Sequence, residues 1–412
     1  MKKDLDAIMQ EQGIDALWIS GAAQNNPDMV YFTGIHHVSS ADLIKVRDQE
    51  PLLFYNSMER EEAAKTGLTV QGYDEKYPLR KYAQTTNGDL LQAIALRYKD
   101  IFTDLGIQNK KIAIAGRYDL SAFYAVVSAM QELLPGTEFA GCFTEGPIKL
   151  ARLTKSADEV EHIRKMGQIT TEVVGNTADF LCNCRAKHDT LVDKDGNPIT
   201  IGLVKSYIRR WLAEKGADNP EETIFSIGRD AGIPHSAGNA DDRMELGKTI
   251  VFDIFPCEAG GGYFYDFTRT WCLGYASEEI QKVYQDVFTV HQGMLESLKV
   301  NTPFRDYQAA TCRMFREFGY ETIQENPETT EGYVHSLGHG LGLDVHESPF
   351  SGMGAGARDI LQPGTVFTIE PGLYYPSKGF GVRIEDTVYL NDQGKVEMLA
   401  DFPYQLVLPL KE

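Results

Sequence analysis

Four carboxylates and a run of histidines in the second half of the chain sit at spacings that bring them together. In TIVFDIFPCEAGGGYFYDFTRTW two apolar runs flank a glycine-rich turn. Directly opposed residues of an antiparallel hairpin share a constant index sum. Asp253 and Asp266 share the sum 519, which centres the turn between Ala259 and Gly260, where the glycines at 260, 261 and 262 begin. The two aspartates are then cross-strand neighbours on one face, about 5 Å apart at Cβ. VFTIEPGLYYPSKGFGVRIEDTVYL reads the same way. Glu370 and Glu385 share the sum 755, centred between Ser377 and Lys378 and flanked by Pro376 and Gly379. Glycine suits the last position of such a turn. Strand alternation puts Arg383 on the face of Glu385.

Adjacent carboxylates on an apolar hairpin repel one another, and only shared protons or bound cations offset that cost. One such pair can be an accident of register. Two pairs, each opposed by its own turn, point to cations. Three of the nine histidines, His335, His339 and His346, lie in VHSLGHGLGLDVHESP among glycines and small apolar residues. Taken singly, each reads as a core or loop residue; beside four paired carboxylates, one becomes a candidate ligand. His162, His188 and His291 sit in helical or polar stretches and are assigned no function. Two Asp, two Glu and a His form an oxygen-rich donor set suited to Mn²⁺, Co²⁺ or Fe²⁺. Zn²⁺ also fits, although structural zinc prefers Cys and His. Two cations sharing carboxylates lie about 3.5–4 Å apart and hold a hydroxide between them.

These residues need a scaffold, and 412 residues exceed what one ordinary core accommodates, so two domains are expected. A boundary falls near residue 150, giving domains 1–150 and 151–412. In the first, DALWIS, PLLFYN and KIAIAG read as strands and residues 120–134 as an amphipathic helix. That is an α/β pattern without a Gly-rich phosphate loop, and it reads as a scaffold or as one wall of a site. Past the boundary, Ser156 and Glu159 form a capping-box signature ahead of a helical period through Val160, Ile163 and Met166. Two helices and then strand pairs separated by Gly and Pro follow.

Composition excludes several classes. The hydrophobic share of 42% and charged share of 24% are those of a soluble globular protein. No run reaches the roughly 18 apolar residues of a membrane span. Asp4 and Asp6 fall where a signal peptide needs an apolar stretch, so a cytoplasmic chain is expected. A net charge of −19 argues against nucleic-acid or anionic-membrane partners. The six cysteines show no CxxC pair; Cys182 and Cys184 form only CxC, which reads as free thiols in a reducing compartment.

The order Asp, Asp, His, Glu, Glu, carried by DIFPCEAGGGYFYDFTRT, HSLGHGLGLDVHE, FTIEPGLYYP and GVRIEDTVYL, resembles the pita-bread metallopeptidases: aminopeptidase P, prolidase and methionine aminopeptidase. PHSAGN around His235 resembles the family's upstream histidine segment. The leading 150 residues or so resemble the N-terminal domain of aminopeptidase P, prolidase and creatinase, which methionine aminopeptidases normally lack. The implied fold is an α/β N-terminal domain followed by an α+β pita-bread, creatinase/aminopeptidase-like catalytic domain. The resemblance implies that Asp253 binds one of two divalent metals, that Asp266 and Glu385 bridge both, and that His339 and Glu370 complete one side. Manganese is the expected metal, with cobalt, iron or zinc as alternatives. His235 and His346 would hydrogen-bond the substrate carbonyl or tetrahedral intermediate. His335 would line the site, Arg383 would orient a carboxylate, and Glu370 would shuttle a proton. A homodimer formed through the N-terminal domain is also implied.

One departure stands out. The family commonly has Gly two residues after the first Asp and a shorter hairpin; here the residue is Phe255. Phe255 and Phe264 share the sum 519, so the two rings are expected to oppose each other on the metal-bearing face and narrow the pocket. The implied reaction is hydrolysis of the bond between a first residue and a following proline in a peptide. An aminopeptidase P-like enzyme is preferred over a strict Xaa-Pro dipeptidase, because Arg383 is the only cation placed on the metal face and Glu385 is expected to neutralise it. Metal-free creatinase-like amidinohydrolases, metal-dependent dimethylsulphoniopropionate lyases and a non-catalytic binding module are the competing classes.

Overall fold

The computed structural model describes residues 4–352 and 354–411. It divides into two compact units, Met1–Arg152 with Gly260–Gly262, and Leu153–Ala259 with Tyr263–Glu412. Among the described residues no helix is long and apolar enough to cross a membrane.

The first unit is built on a six-stranded mixed sheet. Its strands run in the order Thr69–Gly72, Leu52–Tyr55, Ala41–Val46, Ala16–Gly21, Lys111–Arg117 and Glu138–Gly141. Ala16–Gly21 is buried along its whole length, as expected of a strand covered on both faces. Its neighbour Ala41–Val46 escapes a search for apolar runs because Asp42 and Lys45 interrupt it. Both are buried and both are paired. The Asp42 carboxylate accepts from Trp18 Nε1 (2.8 Å), from the Tyr98 hydroxyl (2.6 Å) and from the Tyr73 hydroxyl. Lys45 Nζ donates to Asp6 at 2.5 Å. Satisfied in this way, buried polar groups are tolerated in a sheet core. The helix Leu120–Leu133 forms in the expected stretch, started by Asp119 accepting from the N–H of Ala122.

The second unit is α+β. Ser156 and Glu159 form the reciprocal capping box that starts the helix Ala157–Cys182. Its buried face, including Val160, Ile163 and Met166, packs in one core with Phe252 and Phe267. A second core lies under the helix Glu278–Ser297. One sheet runs in the order Ile224–Ile227, Thr249–Ile254, Phe267–Leu273 and Val407–Leu408. A five-stranded sheet contains His339–Gly340, Val366–Ile369 and Asp386–Leu390 as its inner strands.

The first hairpin corrects the expected register. Asp253 pairs with Thr268, and Thr249 with Cys272, an index sum of 521 rather than 519. The sum persists to the turn, where Cys257 bridges Phe264 and the N–H of Glu258 donates to the carbonyl of Tyr263 (3.1 Å). The turn therefore centres between Gly260 and Gly261. A two-residue hairpin loop whose twist matches its strands needs positive φ at both central positions. Gly260 (+90°) and Gly261 (+83°) supply it; Ala259 would be strained there. An offset of two preserves side-chain parity, so Asp266 keeps the face of Asp253 as a diagonal neighbour. The expected Phe255–Phe264 opposition does not occur: Phe264 is buried in the core beside Cys257.

In the second hairpin the sum 755 runs through two separate ladders, Gly372–Tyr375 with Phe380–Arg383 and Val366–Ile369 with Asp386–Leu390. Glu370 and Glu385 fall in the gap between them. Pro371 has no N–H to give. The Glu370 N–H goes instead to the carbonyl of Leu337 (2.8 Å), and the Glu385 N–H to that of Thr268 (3.1 Å).

His339 reaches this junction because its neighbours lack side chains. A Cβ on Gly338 would lie 2.1 Å from the Thr368 carbonyl oxygen, and one on Gly340 2.1 Å from that of Ser348. Gly338→Ala is therefore expected to force the strand Val366–Ile369 aside. Overpacking against backbone costs about 1–3 kcal/mol, read as a lower urea midpoint. A midpoint equal to wild type would show that the strands have slack at this point.

Candidate metal centre

Three strands line up the site. Asp253 lies opposite Thr268, and Thr268 lies opposite Glu385. The Thr268 hydroxyl donates to Glu385 Oε2 at 2.6 Å. This row draws carboxylates from two hairpins to one place. Donor atoms of Asp266, His339 and Glu385, all buried, lie within 4.8 Å of one another. His339 Nε2 stands 3.6 Å from Asp266 Oδ2 and 3.5 Å from Glu370 Oε1.

The protonation of His339 follows from its neighbours. Nδ1 lies 3.1 Å from the Gly340 carbonyl, which can only accept, so Nδ1 carries the proton. Nε2 then presents a lone pair toward two carboxylates. Burial, followed by the neighbouring His346, holds the imidazolium down to about 3, so the ring is neutral. A histidine whose second nitrogen donates to a carbonyl is in the orientation that metal ligation uses.

The carboxylates complete the test of fit. Burial, then Asp253, pushes the Glu385 carboxyl up from 4.5 to about 8. Burial and Glu385 raise those of Asp266 and Glu370 well above the ordinary range. Asp253 Oδ1 and Asp266 Oδ1 are buried with no hydrogen-bond partner among the described residues. Unpartnered buried carboxylate oxygens are costly, and a cation between them removes the cost. Asp253, Asp266, His339, Glu370 and Glu385 thus suit a hard or borderline divalent metal.

Arg383 differs from expectation. It faces the site, but its ion-pair partner is Asp253 rather than Glu385, with Nη2 2.5 Å from Asp253 Oδ2. Its other donors go to the Tyr374 hydroxyl (2.7 Å), the Pro234 carbonyl (3.1 Å) and the Thr268 hydroxyl (3.3 Å). Held this way, the guanidinium orients one of the chain's own carboxylates. His335 extends the chain. Its Nδ1 lies 2.7 Å from the Ser336 carbonyl and must donate, so Nε2 accepts from the Tyr374 hydroxyl at 2.9 Å. Burial, then Arg383, keeps His335 neutral, with its value lowered to about 3.

A cavity of about 500 Å³ opens onto the carboxylates. His235, His335, His346, Phe255 and Arg383 line it along with the five acidic and histidine candidates. The His346 and His339 rings are 4.2 Å apart. Phe255 forms part of the wall without Phe264. Sequence reasoning missed Thr268 and Tyr374, and it missed the lining residues Glu221, Ile224, Pro234, Ser336 and Phe350. Thr268 was within reach, since it shares the strand parity of Asp266 two residues earlier. Tyr374 and Glu221 carried no comparable signal.

Known proteins are similar to both parts of the chain. The model of "Metallopeptidase family M24" matches residues 161–392, and that of the "Creatinase/Prolidase N-terminal domain" matches residues 2–152. A Staphylococcus aureus protein described as an uncharacterized peptidase is 27% identical over 402 residues, 96% of this chain and 97% of its own. The Xaa-Pro dipeptidase of Pyrococcus furiosus is 25% identical over the same shares. Among solved structures, the X-Pro aminopeptidase from Thermotoga maritima has a TM-score of 0.74 at 26% identity, covering 97% of this chain and 99% of that one. A dipeptidase from Pyrococcus horikoshii shares the fold, with a TM-score of 0.75 at 23% identity over 98% of this chain and 99% of that one.

The raised carboxyl groups set a signed pH dependence. Glu385 titrates near 4.5 unfolded and about 8 folded. The folded metal-free protein holds the extra proton, so this contribution is full below pH 4.5 and gone above about 8. Melting temperature of metal-free protein is expected to fall across that window. Mn²⁺ added at neutral pH should raise it and release protons, measurable by pH-stat. Asp266→Asn should lose most of the bound metal. Metal uptake without proton release would contradict this account of the carboxylates.

Proposed function

The chain belongs to metallopeptidase family M24, and from that premise we propose a dinuclear-metal exopeptidase that removes the first residue of a peptide at an Xaa-Pro bond. The observation that carries the reading is the convergence of buried Asp266, His339 and Glu385 donor atoms on the cavity. Asp253, Asp266, His339, Glu370 and Glu385 would hold two divalent ions, with manganese as the expected metal. Such ions supply a Lewis acid for the scissile carbonyl and an activated water at neutral pH. His235 and His346, on the cavity wall, donate to the carbonyl oxygen as charge develops there. Glu370 carries a proton to the departing proline nitrogen. Proline lacks an N–H and has a fixed φ, so an apolar surface such as that of Phe350 replaces the usual backbone grip. We further expect domains of residues 1–150 and 151–412, a homodimer, and a cytoplasmic location.

Peptide length follows from Arg383. Among the described residues that line the cavity it is the only Lys or Arg, and Asp253 engages it. A strict dipeptidase needs a cation for the free proline carboxylate, so we assign the aminopeptidase P-like activity on longer peptides. The P. furiosus relative, an Xaa-Pro dipeptidase by name, favours the opposite reading.

Two measurements test this. Chelated, verified metal-free protein should not cleave Ala-Pro-Ala, and Mn²⁺ or Co²⁺ should restore cleavage; turnover without metal would end the reading. The tripeptide should exceed Ala-Pro in kcat/KM, and a tenfold preference for the dipeptide, about 1.4 kcal/mol, would move the assignment to prolidase. His235→Ala and His346→Ala should each bind metal and lose on the order of 10²–10³ in kcat. Near-wild-type kcat in either would remove its assigned role.

A further inference from the structure

One carboxylate on the cavity wall stands apart from the metal candidates. Glu221 lines the cavity from the loop before the strand Ile224–Ile227 and is exposed. Asp253 is paired with Arg383, and Asp266, Glu370 and Glu385 converge with His339. Among the described residues no lysine or arginine pairs with Glu221.

Apolar residues share its cavity. Ile224 lies directly opposite Asp253, and Phe255 is two residues beyond Asp253 on the same face. Glu221, Ile224 and Phe255 all line this cavity. The loop that presents it is held by its own bonds. The N–H of Glu222 donates to the Asn219 carbonyl (3.3 Å), and Asn219 Nδ2 donates to the Thr223 hydroxyl (2.9 Å). Glu222 takes a left-handed φ of +63°, which non-glycine residues seldom adopt. Thr223 is buried, so the loop is anchored beside the strand.

A cavity that combines the apolar side chains of Ile224 and Phe255 with an exposed carboxylate is complementary to a side chain with a hydrocarbon stem and a cationic head. Lysine and arginine lay the stem along apolar surface and keep the charge at the wet end. We infer that Glu221 selects substrates by their first residue, favouring peptides that begin Lys-Pro or Arg-Pro. This rests on the exopeptidase reading above. Because Glu221 is exposed, the selectivity is modest, about fivefold, and it weakens with salt.

The test compares kcat/KM for Lys-Pro-Ala with norleucine-Pro-Ala, which keeps the stem of lysine without its charge. Wild type should prefer lysine about fivefold at low ionic strength and lose most of that preference at 1 M salt. In Glu221→Gln the lysine-to-norleucine ratio should fall to near one, and Glu221→Lys should shift the preference toward Glu-Pro-Ala. Three results would overturn the assignment. One is a wild-type ratio near one; another is a ratio that Glu221→Gln leaves unchanged. The third is an equal loss on every substrate, which is what a carboxylate acting on the reaction through His346 would give. Failure of the manganese-loaded enzyme to cleave any Xaa-Pro peptide would instead remove the exopeptidase reading, and this inference with it.

Discussion

Carboxylates crowded out of water repel one another, and the second unit is organised around accommodating that repulsion. The backbone bends to create the crowding. Glu370 and Glu385 interrupt a hairpin whose register is otherwise continuous, and their N–H groups are taken by Leu337 and Thr268. The interruption lets one hairpin serve two sheets. It also puts Glu385 in line with Thr268 and Asp253, so that the acidic groups come from both hairpins rather than one. The glycines beside His339 allow that ring to approach the same point.

Cations already present in the protein stabilise what surrounds the crowd without neutralising its centre. Arg383 is tied to Asp253 on one side and, through Tyr374, to His335 on the other. Behind Glu385, Arg269 is buried between the rings of Phe267 and Tyr404, 4.1 and 4.4 Å from its guanidinium carbon. It donates to the carbonyls of Glu385 (2.8 Å) and Thr268 (3.0 Å) and to the Asp386 carboxylate (2.9 Å). Burial alone would raise the Asp386 carboxyl, yet Arg269 and His291 hold it below its ordinary value. Asp386 is therefore a structural anion with its own cation, one residue from Glu385. The contrast between the neighbours separates the two uses of a buried acid. Asp386 is satisfied within the chain, whereas Asp266 and Asp253 each keep an oxygen without a hydrogen-bond partner among the described residues.

His291 illustrates why single residues mislead. In sequence it is one polar residue in a helix, with no reason to be assigned a role. In the fold it is fully buried with Nε2 3.2 Å from Asp386. Asp42 and Lys45 mislead in the same way in the first unit, since two charges inside six residues disguise a core strand. In each case the partner lies far away in sequence, and local pattern carries no record of it.

The pairing of acids, by contrast, was legible because a hairpin is local. Its index sum and its turn residues lie within about 25 positions, so Glu370 and Glu385 could be set opposite each other from letters alone. The first hairpin was legible up to parity. Three consecutive glycines leave the turn centre open by one position, and only the positive φ at Gly260 and Gly261 decides it. The sequence by itself therefore determined which side chains share a face, where the helix at Ser156 starts, and that the donor set is rich in oxygen. Which hairpins meet, which acid takes Arg383, and what lines the cavity beside Phe255 were decided by the tertiary structure. Those are contacts between distant segments, such as Asp253 and Arg383, 130 residues apart, and they depend on how sheets pack rather than on any local period.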